Sequence, residues 1–366
     1  MKHICKNQPY IKPYNLTNVL FKEDCIFFDI ETTGFSPASS CIYLIGCLRK
    51  QGETLIIDQF FAETKEDEYE VLLQFMNLLH PYKTIISFNG IGFDIPFIKA
   101  KCSTYNIHAN WQDFEYIDIF KQVSNIKFLL KLPNYKQKTI ENFLDIHRDD
   151  QFNGGELINV YNDYTRTAST EAEELLLLHN LEDVTGMLDL IPILSYLYIL
   201  NGNFSIKETV TLPYTTYTGN EGQEMIITLE NDYIVPKQVS YQFKNFYLTM
   251  NKNSTKIRIP LLEGELKFFY ENYKDYYYLP AEDMAIHKSV ATFVDKQYRE
   301  RAKASNCYTR KNGIFLPQFN ALINPIFKLD YKDKISYFEL TADFIESNML
   351  LEQYVKHIFE HALYTK

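Results

Sequence analysis

Short runs of alternating apolar and polar positions dominate the first part of the chain. The run Cys25–Glu31 is rich in Ile and Phe and ends at Thr-Thr-Gly, which predicts a β-strand. The runs Cys41–Leu48 and Thr54–Ala62 predict two more strands. The connections between these strands are too short for a crossover helix, so we expect antiparallel neighbours.

After these strands the hydrophobic period lengthens. Residues Glu66–His80 carry their apolar side chains on one face and predict an amphipathic helix. A buried strand is expected at Thr84–Phe88, a helix from about Asp94, and a strand around Tyr116–Phe120. Because alternating helices and strands add parallel strands to a sheet, the pattern predicts an α/β domain. Its mixed sheet has three antiparallel strands, then parallel additions, and is flanked by helices.

The pattern changes again near residue 200. A long helix is predicted from about Ser169 to Ile191. Beyond it, short alternating runs such as Met225–Leu229 predict a β-rich α+β domain, which closes with a helical end at Thr341–Leu363. We therefore expect two domains, residues 1–200 and residues 201–366.

Composition and charge narrow the functional classes. A chain of 366 residues with 46% hydrophobic and 23% charged residues suits two folded domains and excludes wholesale disorder. The net charge of -10 argues against a protein that coats DNA by charge alone. The excess acid lies in residues 1–200, with 17 basic and 27 acidic side chains, whereas residues 201–366 carry 20 of each.

Targeting features indicate a cytoplasmic protein. The N-terminus lacks the apolar region of a signal peptide. The longest apolar stretch, Leu188–Leu200, contains Asp189 and Pro192 and is too short to span a bilayer, so no membrane partner is expected. The six cysteines form no CxxC pair and no zinc-like cluster.

Three short segments carry acids that are candidates for chemistry. In the first predicted strand Asp29 and Glu31 point to the same face, where two buried carboxylates repel unless a cation lies between them. A polar strand end facing solvent is the alternative. Asp94 follows a glycine turn and is either a helix N-cap or a ligand. His179 and Asp183 lie one turn apart on the long helix, as a surface contact or as part of a site.

The order of these segments resembles a known family. Phe28-Asp-Ile-Glu-Thr-Thr-Gly34 is similar to the first motif of the DEDD (DnaQ-like) 3′–5′ exonucleases, Asn89-Gly-x-x-Phe-Asp94 resembles the second, and His179-x-x-x-Asp183 the third. The resemblance is to the YprB-type branch of ribonuclease-H-like proteins, whose third motif has the form Tyr-Asn-x-x-Asp. It covers about residues 23–200 and implies a ribonuclease-H-like fold.

The resemblance also implies a mechanism. Four carboxylates, those of Asp29, Glu31, Asp94 and Asp183, would hold two divalent ions, Mg²⁺ or Mn²⁺. One ion would activate water and the other would stabilise the leaving 3′ oxygen. The chain would then be a hydrolase that removes nucleotides from the 3′ end of a nucleic acid, with single strands favoured and DNA or RNA left open.

The third motif departs from the family pattern. His179 has the chemistry of the DEDDh group at the spacing where the DEDDy group has tyrosine. It would act as a general base or orient the attacking water, and both roles stay open. Thr32, Thr33 and Asn89 are candidate contacts to the terminal nucleotide.

The second domain contains a basic and aromatic segment. Residues 237–313 hold 14 Lys and Arg against eight acids, interleaved with Phe and Tyr. This pattern suits a single-stranded nucleic acid, with Arg299, Arg301 and Lys303 as candidate phosphate contacts, although Tyr-rich strands are also common in cores. The alternative function for the whole chain is a catalytically silent nucleic-acid-binding or scaffold protein of the same fold.

Overall fold

A computed structural model of the chain describes residues 1–11, 15–150, 152, 154–215, 219, 221–244 and 246–364. The chain forms two compact units. The first comprises Met1–Ile199 together with Tyr233–Val239, and the second comprises Leu200–Asp232 together with Ser240–Lys366. Each unit has hydrophobic clusters of its own.

Six strands form the sheet of the first unit: β1 (Lys2–Pro9), β2 (Cys25–Thr32), β3 (Ile42–Gln51), β4 (Thr54–Phe61), β5 (Thr84–Ser87) and β6 (Glu115–Asp118). Their order is β1-β4-β3-β2-β5-β6. The first four pair antiparallel, and β5 and β6 add in parallel beyond β2. The predicted mixed sheet is confirmed. β1 was not predicted, because it has few apolar side chains and owes its conformation to pairing with β4.

Nine helices belong to the described part of this region: α1 (Asn15–Leu20), α2 (Glu68–Leu79), α3 (Asp94–Thr104), α4 (Ile119–Ser124), α5 (Lys127–Leu130), α6 (Gln137–Phe143), α7 (Gly154–Thr167), α8 (Thr170–Leu190) and α9 (Ser195–Leu200). α8 begins after Ser169, whose hydroxyl accepts the N–H of Ala172. Short 3₁₀ turns lie at Lys65–Asp67, Trp111–Asp113 and Ile191–Leu194.

The long helix α8 lies close against β3. Gly46 of β3 is opposite Asp29 of β2 in the strand register. A Cβ atom at Gly46 would lie 2.0 Å from Oδ1 of Asn180 and 2.9 Å from Cγ2 of Val184, both on α8. Glycine is therefore required at this position for the helix to approach the sheet. The close approach brings the α8 side chains beside β2.

The second unit is rich in strands: β7 (Phe204–Thr215), β8 (Glu221–Phe243), β9 (Phe246–Pro260), β10 (Leu262–Phe269), β11 (Tyr276–Leu279), β12 (Met284–His287), β13 (Glu300–Arg301), β14 (Tyr308–Gln318) and β15 (Ser336–Glu339). They form three sheets, in the orders β7-β8-β9, β10-β14-β15 and β12-β11-β13. The helices are α10 (Lys288–Ala291), α11 (Ala342–Glu346) and α12 (Asn348–Tyr364). The predicted β-rich region with a helical end is confirmed.

One helical run passes a length and composition test for crossing a membrane. Among the described residues, Thr170–Leu200 has a mean hydropathy of 1.4 in its most apolar window, and 78% of that window is buried inside the protein. The stretch Leu188–Leu200, taken alone, therefore underestimated the length of the apolar helical run, because the run begins earlier in the chain. Buried core helices commonly reach this length and hydropathy, so the feature is weak evidence for a membrane span.

Candidate active site

Strand β2 presents two acids toward α8. Phe28 and Ile30 point into the core, where Phe28 contacts Phe75 of α2 at 5.1 Å between ring centres. The alternate residues Asp29 and Glu31 face the other way, as period two requires. Glu31 is only 8% exposed, so the alternative of a strand end open to solvent does not describe it.

Asp94 reaches β2 from the start of α3. Its Oδ1 accepts the N–H of Ile30 at 3.2 Å, and the side chain is buried. Asp94 is the first residue of the helix and Phe93 occupies the N-cap position. Its carboxylate therefore joins the acids of β2, and the N-cap alternative does not describe its position.

The one-turn pair on α8 points at the same place. His179 Nε2 lies 3.1 Å from Asp183 Oδ2 and 3.6 Å from Glu31 Oε1. Ligand atoms of Glu31, His179 and Asp183 all lie within 4.8 Å of one another, close enough to hold one metal ion. Asn180, the next residue on α8, donates its side-chain N–H to Asp29 Oδ2 at 3.4 Å. The pair is therefore part of the acidic cluster.

Sequence reasoning missed Asp150. Its Oδ2 lies 2.7 Å from His179 Nδ1 and 3.0 Å from the Lys138 ammonium. Because Nδ1 is tied to this carboxylate, Nε2 is directed at Glu31 and Asp183. Asp150 lies in the stretch 124–162, whose hydrophobic pattern has little regular period, so the sequence offered no position for it.

Arg148 and Glu141 were missed for the same reason. Arg148 donates to Asp183 through Nη1 and to Glu141 through Nη2, and both Arg148 and Glu141 are buried. A Cβ atom at Gly186 of α8 would lie 2.5 Å from Glu141 Oε1. Asn180 could have been predicted from the sequence, because the Tyr-Asn-x-x-Asp form of the third motif has asparagine at this position.

The negative charges of the acids on β2 and α3 are poorly balanced by neighbouring cations. Burial, followed by the charges of neighbouring acids, raises the pKa of Asp29 well above its usual range. Burial raises the pKa of Glu31 to about 8, partly opposed by His179. Burial also raises the pKa of Asp94 to about 7, although the Ile30 N–H opposes the shift. These three carboxylates cannot all be ionised at neutral pH without added positive charge.

The groups on and around α8 behave differently. Burial by itself would raise the pKa of Asp183, but His179 and Arg148 outweigh it and hold the pKa below its usual value. Burial by itself would lower the pKa of His179, but contact with Asp183 and the charge of Glu31 raise it to about 9. The imidazole is thus protonated at neutral pH in this state.

The residues present fit a divalent metal. Carboxylate oxygens are the ligands that Mg²⁺ and Mn²⁺ prefer, and an imidazole nitrogen suits Mn²⁺ as well. The raised pKa values of Asp29, Glu31 and Asp94 mark a place where positive charge is lacking. The 4.8 Å set of Glu31, His179 and Asp183 does not include Asp29 or Asp94.

The residues predicted to contact the nucleotide lie next to this cluster. Some of their polar groups already form hydrogen bonds within the protein. Thr32 Oγ1 donates to the Gly34 carbonyl at 2.8 Å, and Thr33 Oγ1 accepts the Cys41 N–H at 2.9 Å. Asn89 adopts a positive φ of 63° and donates its N–H to Asp118 Oδ1 at 3.1 Å. These bonds hold the two loops beside the cluster. Their role toward a nucleotide stays a prediction.

The three basic candidates lie in the second unit. Arg299 is half-buried and donates through Nη1 to the Ala291 carbonyl, while its Nε is buried with no hydrogen-bond partner among the described residues. Arg301 is exposed, with its guanidinium carbon 4.6 Å from the centre of the Tyr277 ring. Lys303 is exposed. Arg301 and Lys303 are therefore the more available cations of the three.

Comparison with known proteins gives one family and several weak structural likenesses. The family model RNase_H_2, of the RNase H superfamily, matches residues 26–195. No curated protein matches the chain. The family B DNA polymerase from the hyperthermophilic archaeon Pyrobaculum calidifontis is 15% identical with a TM-score of 0.38, over 47% of this chain and 25% of the polymerase.

E. coli exonuclease I in complex with a dT13 oligonucleotide is 12% identical with a TM-score of 0.33, over 57% of this chain and 55% of that one. The chain thus spans a quarter of the polymerase and about half of exonuclease I, and likenesses this weak say nothing of its activity. The family match and the cluster of Glu31, His179 and Asp183 support a nuclease-type hydrolase. Residues 26–195, which carry the acids of the cluster, are therefore similar to the RNase H superfamily.

Proposed function

We propose that the chain is a metal-dependent 3′–5′ exonuclease that acts on single-stranded nucleic acid. One observation carries the proposal: carboxylates from three separate elements meet beside β2. Asp29 and Glu31 come from β2, Asp94 from α3, and Asp183 with His179 from α8. Buried acids from distant parts of a chain repel one another, so such a cluster is costly unless it serves a cation.

The ligands for the cation would be Asp29, Glu31, Asp94 and Asp183. When bound, two divalent ions supply a nucleophile at neutral pH and stabilise the charge of the leaving oxygen. The chain itself contributes the position of each carboxylate. The Ile30 N–H holds Asp94 at 3.2 Å, and Asn180 holds Asp29 at 3.4 Å. These bonds keep the acids of α3 and β2 beside α8.

His179 controls a proton at Nε2. Its Nδ1 is held by Asp150 at 2.7 Å, so the ring cannot turn without breaking a buried contact. With a pKa raised to about 9, the ring is protonated at neutral pH when no cation is bound, and Nε2 then donates. A general-base role requires loss of that proton first, whereas a water-orienting role does not.

The second unit supplies positive surface for the strand in this proposal. Arg301 and Lys303 are exposed, and Phe293 and Tyr298 nearby in sequence are 90% and 58% exposed. Cations beside exposed rings suit the phosphates and bases of a single strand. Replacing Arg301 and Lys303 by Gln should weaken strand binding and flatten its salt dependence by ~0.7 log units for each phosphate that is no longer bound. Unchanged affinity and slope would exclude this surface.

The experiment that tests the function is strand shortening. Single-stranded DNA and RNA labelled at the 5′ end are incubated with the full chain in Mg²⁺, in Mn²⁺ or in EDTA. A 3′–5′ exonuclease produces a descending ladder with either ion and none in EDTA, and a 3′-labelled strand releases its label as a mononucleotide at once. The control is Asp29→Asn, which should produce no ladder. Failure to shorten any strand would contradict the proposal.

The second candidate is a catalytically silent nucleic-acid-binding protein. The contact of Arg148 with Asp183, together with the His179 ring, favours it, because both cations occupy carboxylate oxygens that a metal would need. Calorimetric titration with Mn²⁺ distinguishes the two. Binding that disappears in Asp29→Asn supports the enzyme, and strand binding without any Mn²⁺ binding supports the silent protein.

A further inference from the structure

A basic segment lies within the otherwise acidic first unit. Residues 119–140 contain five lysines and no Asp or Glu. The lysines are Lys121, Lys127, Lys131, Lys136 and Lys138. Residues 1–200 as a whole carry ten more acids than bases, so this segment reverses the local sign of charge. Attraction of a polyanion to the first unit is therefore concentrated here.

The segment forms one side of a surface pocket of about 420 Å³. Its walls include three aromatic side chains, Phe88, Phe120 and Tyr135, and two exposed lysines, Lys127 and Lys136. Phe88 follows β5, whereas the other four residues belong to the basic segment. Aromatic rings beside ammonium groups match a nucleotide, which has a flat base and an anionic phosphate.

The pocket wall is held in place by its own contacts. Tyr135 donates its hydroxyl to the Lys127 carbonyl at 2.9 Å and accepts the Leu132 N–H at 3.2 Å. The Lys127 ammonium lies 4.9 Å from the Tyr135 ring centre and 5.3 Å from that of Phe120. The Phe88 and Phe120 ring centres are 5.8 Å apart. The rings and the cation are thus arranged before any ligand enters.

The pocket is joined to the acidic cluster through one loop. Asn89 lines the pocket, and the chain runs from it through the Gly90 turn to Asp94. The buried Asp118 accepts the N–H groups of Asn89 and Ile91, and also that of Lys121 at the start of α4. One carboxylate therefore holds both the loop that carries Asp94 and the basic segment. The pocket and the acidic cluster are therefore connected through this loop and its contacts with Asp118.

We propose that this pocket is a subsite for the substrate strand, which receives a nucleotide next to the one being cleaved. The base packs against Phe88, Phe120 and Tyr135, and the phosphate contacts Lys127 and Lys136. The occupant is a nucleic-acid strand because the walls combine rings with cations and include no acid. This inference rests on the proposed function and adds to it a binding site in the first unit.

A larger pocket of about 880 Å³ in the same unit lacks this combination. It is lined by residues from the stretches 69–82 and 106–114, with one acid, Asp113, and no lysine or arginine. None of the predicted site residues lines it. The choice of the smaller pocket as the subsite therefore does not rest on volume. It rests on the lysines in its wall and on the loop that connects it to Asp94.

Strand binding is measured without catalysis, by fluorescence anisotropy of labelled 12-mers of DNA and RNA in EDTA over a range of salt. The double variant Lys127→Gln with Lys136→Gln should bind about tenfold or more weakly, with a salt slope lower by ~0.7 for each phosphate that is no longer bound. Tyr135→Leu should weaken binding about fivefold or more, because the ring on which a base stacks is removed. Lys127→Arg should keep the affinity.

The matched control carries the same charge change elsewhere in the first unit. Lys83 and Lys99 are both exposed, and Lys99 lies 5.5 Å from the Trp111 ring centre, so its surroundings resemble those of Lys127. Lys83→Gln with Lys99→Gln should leave affinity and slope unchanged. In the shortening assay, KM of the pocket variant should rise more than kcat falls, since no pocket lysine belongs to the acidic cluster.

The outcomes separate this inference from the proposed function. A wild-type chain that shortens strands while the pocket variant binds as the wild type does overturns the subsite and leaves the exonuclease. Equal weakening by the control variant also overturns the subsite, because net charge then explains the weaker binding. A wild-type chain that binds strands through the pocket but never shortens them keeps the subsite and removes the enzyme. A wild type that neither binds strands in EDTA nor shortens them with Mg²⁺ or Mn²⁺ overturns both.

Discussion

The two sides of the acidic cluster differ in how their charges are balanced. On the sheet side, Asp29 accepts an amide N–H and Asp94 a backbone N–H, while Glu31 lies 3.6 Å from His179 Nε2. All three acids have raised pKa values. On the helix side, Asp183 and Asp150 contact Arg148, His179 and Lys138, and both acids have lowered pKa values. The same residue type is thus destabilised on one side and stabilised on the other.

This difference indicates where added positive charge has the greatest effect. The helix side has its own cations, so its net charge is close to zero without bound metal ions. The sheet side needs either protons or metal ions, and at neutral pH protons are scarce. Divalent cations should therefore stabilise the folded chain mainly through Asp29, Glu31 and Asp94.

The largest expected effect comes from neutralising one acid on the sheet side. Asp29→Asn should reduce strand shortening by at least about 10³-fold, because an amide lacks the charge that helps to hold two cations. In EDTA at pH 8 the same variant should melt at a higher Tm than the wild type, since it removes repulsion among buried acids. Activity assays and thermal unfolding measure the two effects.

The exposed Asp113 offers a matched control for that variant. Asp113→Asn should change neither activity nor Tm. Full activity in Asp29→Asn would contradict the two-metal proposal, and a lower Tm in EDTA would contradict the description of the sheet side as uncompensated.

The next effect comes from removing a cation on the helix side. Arg148→Met should lower the free energy of unfolding by about 3 kcal/mol, because Glu141 is left as a buried charge without its partner. Adding Glu141→Gln should restore much of this stability. Urea unfolding measures both variants at pH 7 in EDTA.

Arg166 provides the comparison for a surface pair. It is 73% exposed and contacts Asp163 three residues earlier on α7, so Arg166→Met should cost less than about 0.5 kcal/mol. Equal costs for Arg148→Met and Arg166→Met would show that the helix side is not held by its buried pairs.

A smaller effect is expected at His179. His179→Ala should lower the rate by about 10²-fold and change the pH profile of cleavage. His179→Tyr should retain much of the activity if the ring only orients water, and little of it if the ring is the general base. An unaltered rate in His179→Ala would show that its contacts with Asp150 and Asp183 are only structural.

The pH dependence of the unfolding free energy should report the raised pKa values of the acids on the sheet side. An acid with a raised folded-state pKa keeps its proton when folded and loses it when unfolded, so stability falls as the pH rises through that window. The window runs from 4.5 to about 8 for Glu31 and from 3.8 to about 7 for Asp94. His179 has the same sign, since its contribution is complete below 6.5 and disappears through about 9.

We therefore expect the chain in EDTA to lose at least about 2 kcal/mol of unfolding free energy between pH 5 and pH 8. Urea unfolding at the two pH values measures the change, and Mg²⁺ or Mn²⁺ at pH 8 should reverse it. Asp183 and Asp150 have lowered pKa values, so their contribution is complete above pH 3.8 and is lost only below it; they do not add to this change. Stability that is flat or rises over this range would contradict the description of the sheet side.

The sequence was sufficient for features that depend on local periodicity. Alternation in Cys25–Glu31 predicted both the strand and the common face of Asp29 and Glu31, because a strand can bury Phe28 and Ile30 only by turning its neighbours to the other face. Helical spacing likewise predicted that His179 and Asp183 share a face. The change from period two to a longer period predicted the order of the mixed sheet.

Only the tertiary structure decided which charges meet. Arg148 and Asp183 are 35 positions apart, and their contact depends on how α6 and the following loop pack on α8 at Gly186. β1 forms because β4 offers an edge, and its own side chains do not specify a strand. Contacts of this kind are set by the fit of distant surfaces, which leaves no period in the chain. The sequence by itself therefore determined which acids belong to the site, whereas the three-dimensional packing decided which of their charges are balanced by neighbouring cations.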